Sequence, residues 1–443
     1  MKDLKFLKNI PEILKIAAIN LVLLLVFIEL GSLGWYYVKH KQIFYTRQKP
    51  QDNSALGINL EGVRLNQSIV ERFHPYFGFI QKPSSDFRPG FKVNNYGFIS
   101  PHDYPFKKTK PNQFIIGVFG GSVASGYAIF EVQNQVLAKY LKQLPGLQDK
   151  EFVILSFATG GYKQPQQLLI LNYFLALGQE FDMVVNIDGF NEVALANLNN
   201  QNKIDLAMPS VQHILPLTNL ANNSLSLQAM KTTIAIQENK AKINRGLENL
   251  QNCKLAACDA LTSVYLQNLV NNYRKDVIWF EKERGKTTEA DGGSAVFINT
   301  KNAVLKDDVA FDRMAWNWAK SSIFMNKVLS ASNVPYFHVL QPNQYHQTKR
   351  VFSEAEKQIA FNQETPYAKS VELGYPALFE KLPNLAKNKV NVLNAVNIFD
   401  KTKEIVYVDS CCHYNEAGEV IFSDYIGRSI LEKLRKESPK RKK

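Results

Sequence analysis

The longest apolar run in the chain is IAAINLVLLLVFIELGSLGWYYV, at 16–38. A helix needs ~20 such residues to cross the hydrocarbon of a bilayer, so the run predicts one membrane-spanning helix. Lys2, Lys5, Lys8 and Lys15 precede it, and Trp35, Tyr36 and Tyr37 close it with rings that favour the membrane–water interface. No small-x-small cleavage pattern follows a short apolar core, so an uncleaved signal anchor is expected. Asn20 and Glu29 interrupt the run. A carboxylate in a span calls for a partner, or for hydration near the outer boundary.

Beyond the anchor the pattern changes to short β-branched and aromatic runs: FIIGVFGGS at 114–122, FVILSFA at 152–158, DMVVNID at 182–188, PYFHVLQPN at 335–343 and EIVYVDS at 404–410. These predict five strands. Between them lie helix-period stretches: QNQVLAKYLKQL after the first, QPQQLLILNYFLALG after the second and MAWNWAKSSIFMNKVLSAS before the fourth. Strands alternating with helices predict a three-layer α/β/α sandwich around a mostly parallel five-stranded sheet. Residues 196–305 turn polar and Asn/Gln-rich and read as a helical insertion between the third and fourth strands, a candidate cap. Residues 39–110 are rich in Pro, Asn, Gly and aromatics, as in HPYFGFIQKP and VNNYGFISPHDYP. Free linkers rarely carry so many aromatics, so this lead-in is expected to wrap onto the domain. The resulting division is 1–15 cytoplasmic N-terminus, 16–38 anchor, 39–110 lead-in, 111–430 α/β domain with its insertion, and 431–443 basic tail.

Composition narrows the function classes. Hydrophobic residues at 45% and charged residues at 21% of 443 describe a globular chain. The net charge of +13 would suit nucleic acid, but much of the excess is terminal: the four N-terminal lysines, then Lys433, Arg435, Lys436 and the closing PKRKK. No basic stripe interleaved with aromatics joins them, so a solvated tail is preferred and no nucleic-acid partner is expected. Lys39, Lys41, Arg47 and Lys49 nearly balance the lysines ahead of the anchor, so charge bias does not orient it. The four cysteines form two local pairs, Cys253 with Cys258 and Cys411 beside Cys412, without zinc-site spacing. A Cys253–Cys258 bridge, a bridge from one of them to the 411–412 pair, and four reduced thiols all remain open. No metal or cofactor is expected.

Four short blocks carry chemistry, each at or just beyond the C-terminal end of a predicted strand, where ligands bind in open parallel sheets. Gly120-Gly121-Ser122-Val123-Ala124-Ser125-Gly126 can present a serine hydroxyl and its backbone N–H together. A phosphate loop would need a lysine at its far end, and the Gly-x-Ser-x-Gly elbow fails at Ala124. A glycine-rich turn into a helix is the plainer reading. Ser156-Phe157-Ala158-Thr159-Gly160-Gly161-Tyr162 offers glycine amides without a Cβ in the way, although an ordinary loop would look the same. In Asp188-Gly189-Phe190-Asn191-Glu192 the Asn side chain can aim its NH₂ at a developing oxyanion or simply cap a helix. Asp409-Ser410-Cys411-Cys412-His413 places a histidine, a general base when a carboxylate fixes its tautomer, after the last predicted strand.

The order of these blocks, Ser first, Gly second, Asn third and Asp…His last, resembles the SGNH/GDSL hydrolase superfamily over roughly residues 74–425. HPYFGF and VNNYGF ahead of FGGSVASG resemble the lead-in of its membrane-anchored bacterial members. The resemblance implies a flavodoxin-like sandwich and a serine esterase. Ser122 would be the nucleophile, His413 the base and Asp409 its orienting carboxylate, with the Ser122 N–H, the Gly161 N–H and the Asn191 side chain as the oxyanion hole. The chain departs from the family in two places. One extra residue separates Asp409 from His413, where the family has Asp-x-x-His. The second block has Ser156 for its leading Asn and Ala158 for its first glycine. The implied substrate is an O-acylated small molecule or envelope glycan, and acetyl is the expected acyl group. The domain is then expected on the extracytoplasmic side. Two other readings stand beside this one: an O-acyltransferase using the same site, and a catalytically silent component of envelope polysaccharide assembly.

Overall fold

The structure is a computed structural model that describes residues 3–47, 71–221, 226–284, 297–301, 303–362 and 365–437. The PKRKK tail and the 48–70 part of the lead-in lie outside these residues. The chain divides into two compact units.

The first unit is built on α1 (Asp3–His40), whose segment Leu14–His40 is long and apolar enough to cross a membrane. The helices α6 (Leu227–Asn252) and α7 (Ala256–Arg284) form a hairpin in the same unit. Ile243, Leu247 and Leu250 of α6 bury against Leu266, Leu269, Val270 and Tyr273 of α7. Glu29 has partners here: its carboxylate accepts the Ala256 and Ala257 N–H groups at 2.7 and 2.9 Å and the Tyr45 hydroxyl at 2.6 Å. The first N–H groups of a helix have no partner within it and carry partial positive charge, so they suit a carboxylate. Cys253–Cys258 is a disulfide that closes the turn beside these amides. Arg47 spans that turn, from the Asp259 carboxylate at 2.5 Å to the Cys253 carbonyl at 2.9 Å. The expected single insertion is therefore divided: its ends, with α5 (Val211–Ala221), stay with the sheet, and its hairpin with the apolar N-terminal helix.

The second unit holds a parallel five-stranded sheet: β1 (Gln113–Gly120), β2 (Glu151–Ala158), β3 (Met183–Asp188), β4 (Tyr336–Leu340) and β5 (Asn391–Asn394), in the order β5–β4–β3–β1–β2. Most strand residues are buried, which explains why the strands read as apolar runs without alternation. On one face α2 (Ser122–Asn134) packs with α10 (Glu416–Glu437). On the other lie α3 (Gln166–Ala176), α4 (Phe190–Gln201), α8 (Asp307–Ala331) and α9 (Ala368–Lys387). The lead-in forms antiparallel strands at Glu71–His74 with Gly78–Gln81, and at Ser84–Arg88 with Phe91–Val93 and Ile99–Ser100. It sends Phe77, Phe79, Phe98 and Tyr104 into the main core.

Two expectations are corrected. The fifth strand is Asn391–Asn394, whereas EIVYVDS forms only a single bridge, Tyr407 to Tyr414. A buried side chain replaces a strand neighbour there. Glu356, held by Arg350 at 2.6 and 2.8 Å, accepts the Val406 and Tyr407 N–H groups at 2.8 and 3.3 Å. The helix after β1 starts at Ser122 itself, not near Gln133, and breaks at Gln135, whose φ is +50°. Burial of Val123, Ala124, Ser125, Tyr127, Ala128 and Phe130 removes the polar stripe that would have revealed its first turns.

Below the sheet's C-terminal edge sits a polar knot. Asp188, at the end of β3, accepts from Trp318 Nε1 of α8 at 2.6 Å and from Asn186 Nδ2 at 2.7 Å. It also lies 2.7 Å from His338 Nε2 on β4, whose Nδ1 reaches Ser322 Oγ at 2.7 Å. His338 is fully buried, and its removal leaves the Asp188 charge without one of its partners. His338→Ala should therefore lower stability by about 3–5 kcal/mol in urea unfolding of the detergent-solubilised chain; a loss under about 1 kcal/mol would contradict this.

Candidate active site

In a sheet ordered β2–β1–β3–β4–β5, the strand order reverses between β1 and β3, and open parallel sheets bind ligands outside the C-terminal ends of the strands at such a point. Ser122 leaves β1 at that point and Asn191 leaves β3 beside it. Gly120 and Gly121 allow the turn. Gly120 has φ +142°, and a Cβ there would stand 2.0 Å from the Ile187 carbonyl oxygen. Ser122 is the first residue of α2, so its N–H is one of the helix's orphan donors, next to its own hydroxyl.

The structure brings Ser122, His413 and Asp409 into one line. His413 Nε2 is 2.7 Å from Ser122 Oγ, and His413 Nδ1 is 2.5 Å from Asp409 Oδ2. An ionised carboxylate only accepts hydrogen bonds, so Nδ1 carries the proton and Nε2 is left as an acceptor facing the serine hydroxyl. The extra residue between Asp409 and His413 is absorbed by the carboxylate's other oxygen. Asp409 Oδ1 accepts the backbone N–H groups of Cys411, Cys412 and His413 at 3.0, 3.1 and 3.3 Å, curling the loop around it. Burial pushes the Asp409 carboxyl up, but the His413 bond and charge and the two cysteine amides outweigh it and hold the group at about 2.

Asn191 is buried at the second position of α4. The N-cap is Gly189, so capping is not its role. Its Nδ2 donates to the Tyr162 carbonyl at 2.8 Å, which takes one of two amide protons. A Cβ on Gly121 would stand 2.2 Å from that nitrogen, which places the amide against the residue preceding Ser122. Gly160 faces the serine, with a Cβ position 3.9 Å from Ser122 Cβ. Gly161 has φ +82° and turns its bare side to the His213 ring, which a Cβ would meet at 2.2 Å.

Other groups in the site escaped the sequence reading. Glu192 ties the second and third blocks together, accepting the Gly189 N–H at 2.8 Å, the Gln164 N–H at 3.0 Å and Gln167 Nε2 at 3.1 Å. Burial and the neighbouring Asp188 charge push its carboxyl up to about 8. Its position next to Asn191 was the available signal. His213, stacked on Phe79 and 2.5 Å from Glu71, has no sequence signature. Cys411, Cys412 and His413 offer metal-ligand atoms within 4.8 Å of one another. Both His413 nitrogens are already engaged, so a metal there would displace either Ser122 or Asp409.

No family model and no curated protein matches the chain. A solved structure of a GDSL-like lipase from Bacteroides thetaiotaomicron is a structural neighbour at TM-score 0.29 and 10% identity, covering 74% of this chain and 91% of that one.

Beneath Ser122, α2 and α10 trap two more carboxyls. Burial pushes Glu131 up to about 7, and burial with the Glu131 charge pushes Glu419 up to about 8. Each is held protonated in the fold above the pH at which an unfolded chain would ionise it. Their contribution to stability is therefore full below pH ~4.5 and is lost as pH rises through 7 and 8. The melting temperature of the detergent-solubilised chain should fall between pH 5 and pH 9, and Glu419→Gln should make that fall shallower by roughly 2–4 °C or more. Equal slopes in the two proteins would contradict the assignment.

Proposed function

We propose that this chain is a membrane-anchored serine esterase of the SGNH/GDSL type that removes O-acyl groups, acetyl foremost, from an envelope glycan or similar substrate. The observation that carries the reading is the line Ser122–His413–Asp409, at 2.7 and 2.5 Å, with Ser122 just past the C-terminal end of β1. The altered Asp–His spacing, with Glu29 in the apolar helix and the large insertion, is what speaks for a silent component, and the hydrogen bonds around Asp409 weaken the first of these.

In this reading Ser122 Oγ attacks the ester carbonyl carbon while His413 Nε2 takes the hydroxyl proton. The oxyanion forms against the Ser122 N–H, the Gly161 N–H and Asn191 Nδ2. Its collapse expels the alcohol, which receives the proton from His413, and leaves the acyl group on Ser122. Water then attacks with His413 again as base, and the carboxylic acid leaves. Asp409 keeps the proton on Nδ1 and balances the imidazolium charge, without becoming protonated itself. The buried position of Asn191 suits an electrostatic role, because charge is stabilised more strongly where water is excluded. The α1 segment serves as a single-pass anchor, with the site on the extracytoplasmic side.

The detergent-solubilised chain should hydrolyse an aryl acetate. Ser122→Ala should abolish turnover, and Asp409→Asn should lower kcat by about 10³–10⁴ through the wrong histidine tautomer. Equal turnover in wild type and Ser122→Ala would sink the esterase. With an acylated donor and a glycan acceptor, esters gained on the acceptor would identify the same site as an acyltransferase.

A further inference from the structure

Two thiols stand immediately beside the triad histidine. Cys411 Sγ and Cys412 Sγ are 3.0 Å apart, Cys412 is buried with the Ser122 hydroxyl among its contacts, and Cys411 is half-buried. Neither has a role in ester hydrolysis. The backbone joining them does, because the Cys411 and Cys412 N–H groups are two of the three that hold Asp409 Oδ1.

We propose that Cys411 and Cys412 are a thiol modification site at which a small-molecule disulfide closes the pair into a ring and thereby disarms Ser122. The second half of this statement rests on the esterase reading; the first half does not. Cys411, the accessible thiol, attacks one sulfur of the reagent as its thiolate and forms a mixed disulfide, expelling one small thiolate. Cys412 then gives up its proton and displaces the second. Two protein thiols and one small disulfide become one protein disulfide and two small thiols. The reagent is reduced, and the protons end on the released thiols. Burial pushes the Cys412 thiol up, which suits it to attack second. Disulfide chemistry is present in this chain, at Cys253–Cys258.

Closure disturbs the triad for a geometric reason. Neighbouring Cα atoms across a trans peptide are about 3.8 Å apart, whereas a disulfide prefers roughly 4.4–6.8 Å between its Cα atoms. Bringing the sulfurs from 3.0 Å to a bond of about 2.05 Å must therefore twist the peptide between Cys411 and Cys412. The N–H of that peptide belongs to Cys412 and points at Asp409 Oδ1. Twisting it takes away one of the three amides that hold the carboxylate and so shifts the partner that orients His413.

The test uses the full chain in detergent, titrated with oxidised glutathione at pH 8. Aryl acetate turnover and the mass of the tryptic peptide 404–428 are followed together. The expected result is a peptide lighter by two hydrogens, with turnover falling at least about tenfold in step with it and returning on mild reduction. Cys411→Ser and Cys411→Ala, which keep the backbone donors, should keep their turnover in oxidised glutathione. A peptide that stays a dithiol, or that stops at a glutathione adduct, would overturn the ring. A ring with unchanged turnover would overturn its effect on the triad. Peptide mass does not depend on turnover, so a wild type inactive before any oxidation would count against the esterase and leave the ring to be judged by mass.

Discussion

Asp409 lies on a loop in which no strand fixes the backbone, yet the site depends on that loop's shape. Asn343, Gln344 and Tyr345 donate to the loop's Cys411, Asp409 and Ser410 carbonyls, and the Asp409 carboxylate adds bonds in two directions. One oxygen gathers three consecutive backbone N–H groups, and the other holds His413 Nδ1. The turn from Cys411 to His413 and the histidine orientation therefore both depend on the same ionised group, which stays charged because those donors outweigh the cost of its burial. His413 can then face Ser122, a residue 291 positions earlier in the chain. Removing the carboxylate would loosen both halves at once.

The rest of the second unit keeps the serine and asparagine side of the site fixed. Ser122 and Asn191 leave adjacent parallel strands, so the β1–β3 register determines how far apart they stand. The buried Asp188, His338 and Trp318 knot ties β3, β4 and α8 together directly under Asn191. Glu192 fastens the same turn to the glycine loop after β2. Groups that never touch a substrate thus hold the serine, the glycines and the asparagine on separate elements of one sheet, and rigid elements position chemistry better than loops do. The first unit uses a similar device. Glu29 lies within an apolar helix, and the amides at the start of α7 donate to its carboxylate.

Much of this was legible in the sequence because it is local. Four of the five strands, the apolar N-terminal helix, and the places of Ser122 and Asn191 follow from short runs and strand ends, and His413 follows from its place after the 404–410 run, which forms a bridge and not a strand. The fifth strand was not, because Asn391–Asn394 is brief and flanked by asparagines, while the stronger run at 404–410 spends its amides on Glu356. The start of α2 was hidden by burial on all sides. The Asp409 contact could not be judged from spacing, since whether a four-residue step closes depends on where the intervening amides point. The Ala256 amide that bonds Glu29 and the Glu71 carboxylate that bonds His213 lie 227 and 142 residues away, and no periodicity links residues so far apart.

In the proposed esterase, Ser122 is made nucleophilic by a histidine that Asp409 holds in place. Labelling with a fluorophosphonate, which reacts with activated serines, tests it without assuming any ester. In the folded chain the probe should attach at Ser122, identified by peptide mass. Its rate should drop by about 10³ or more in Asp409→Asn and in His413→Ala. Absence of label at Ser122, or equal labelling rates in wild type and Asp409→Asn, would contradict the account.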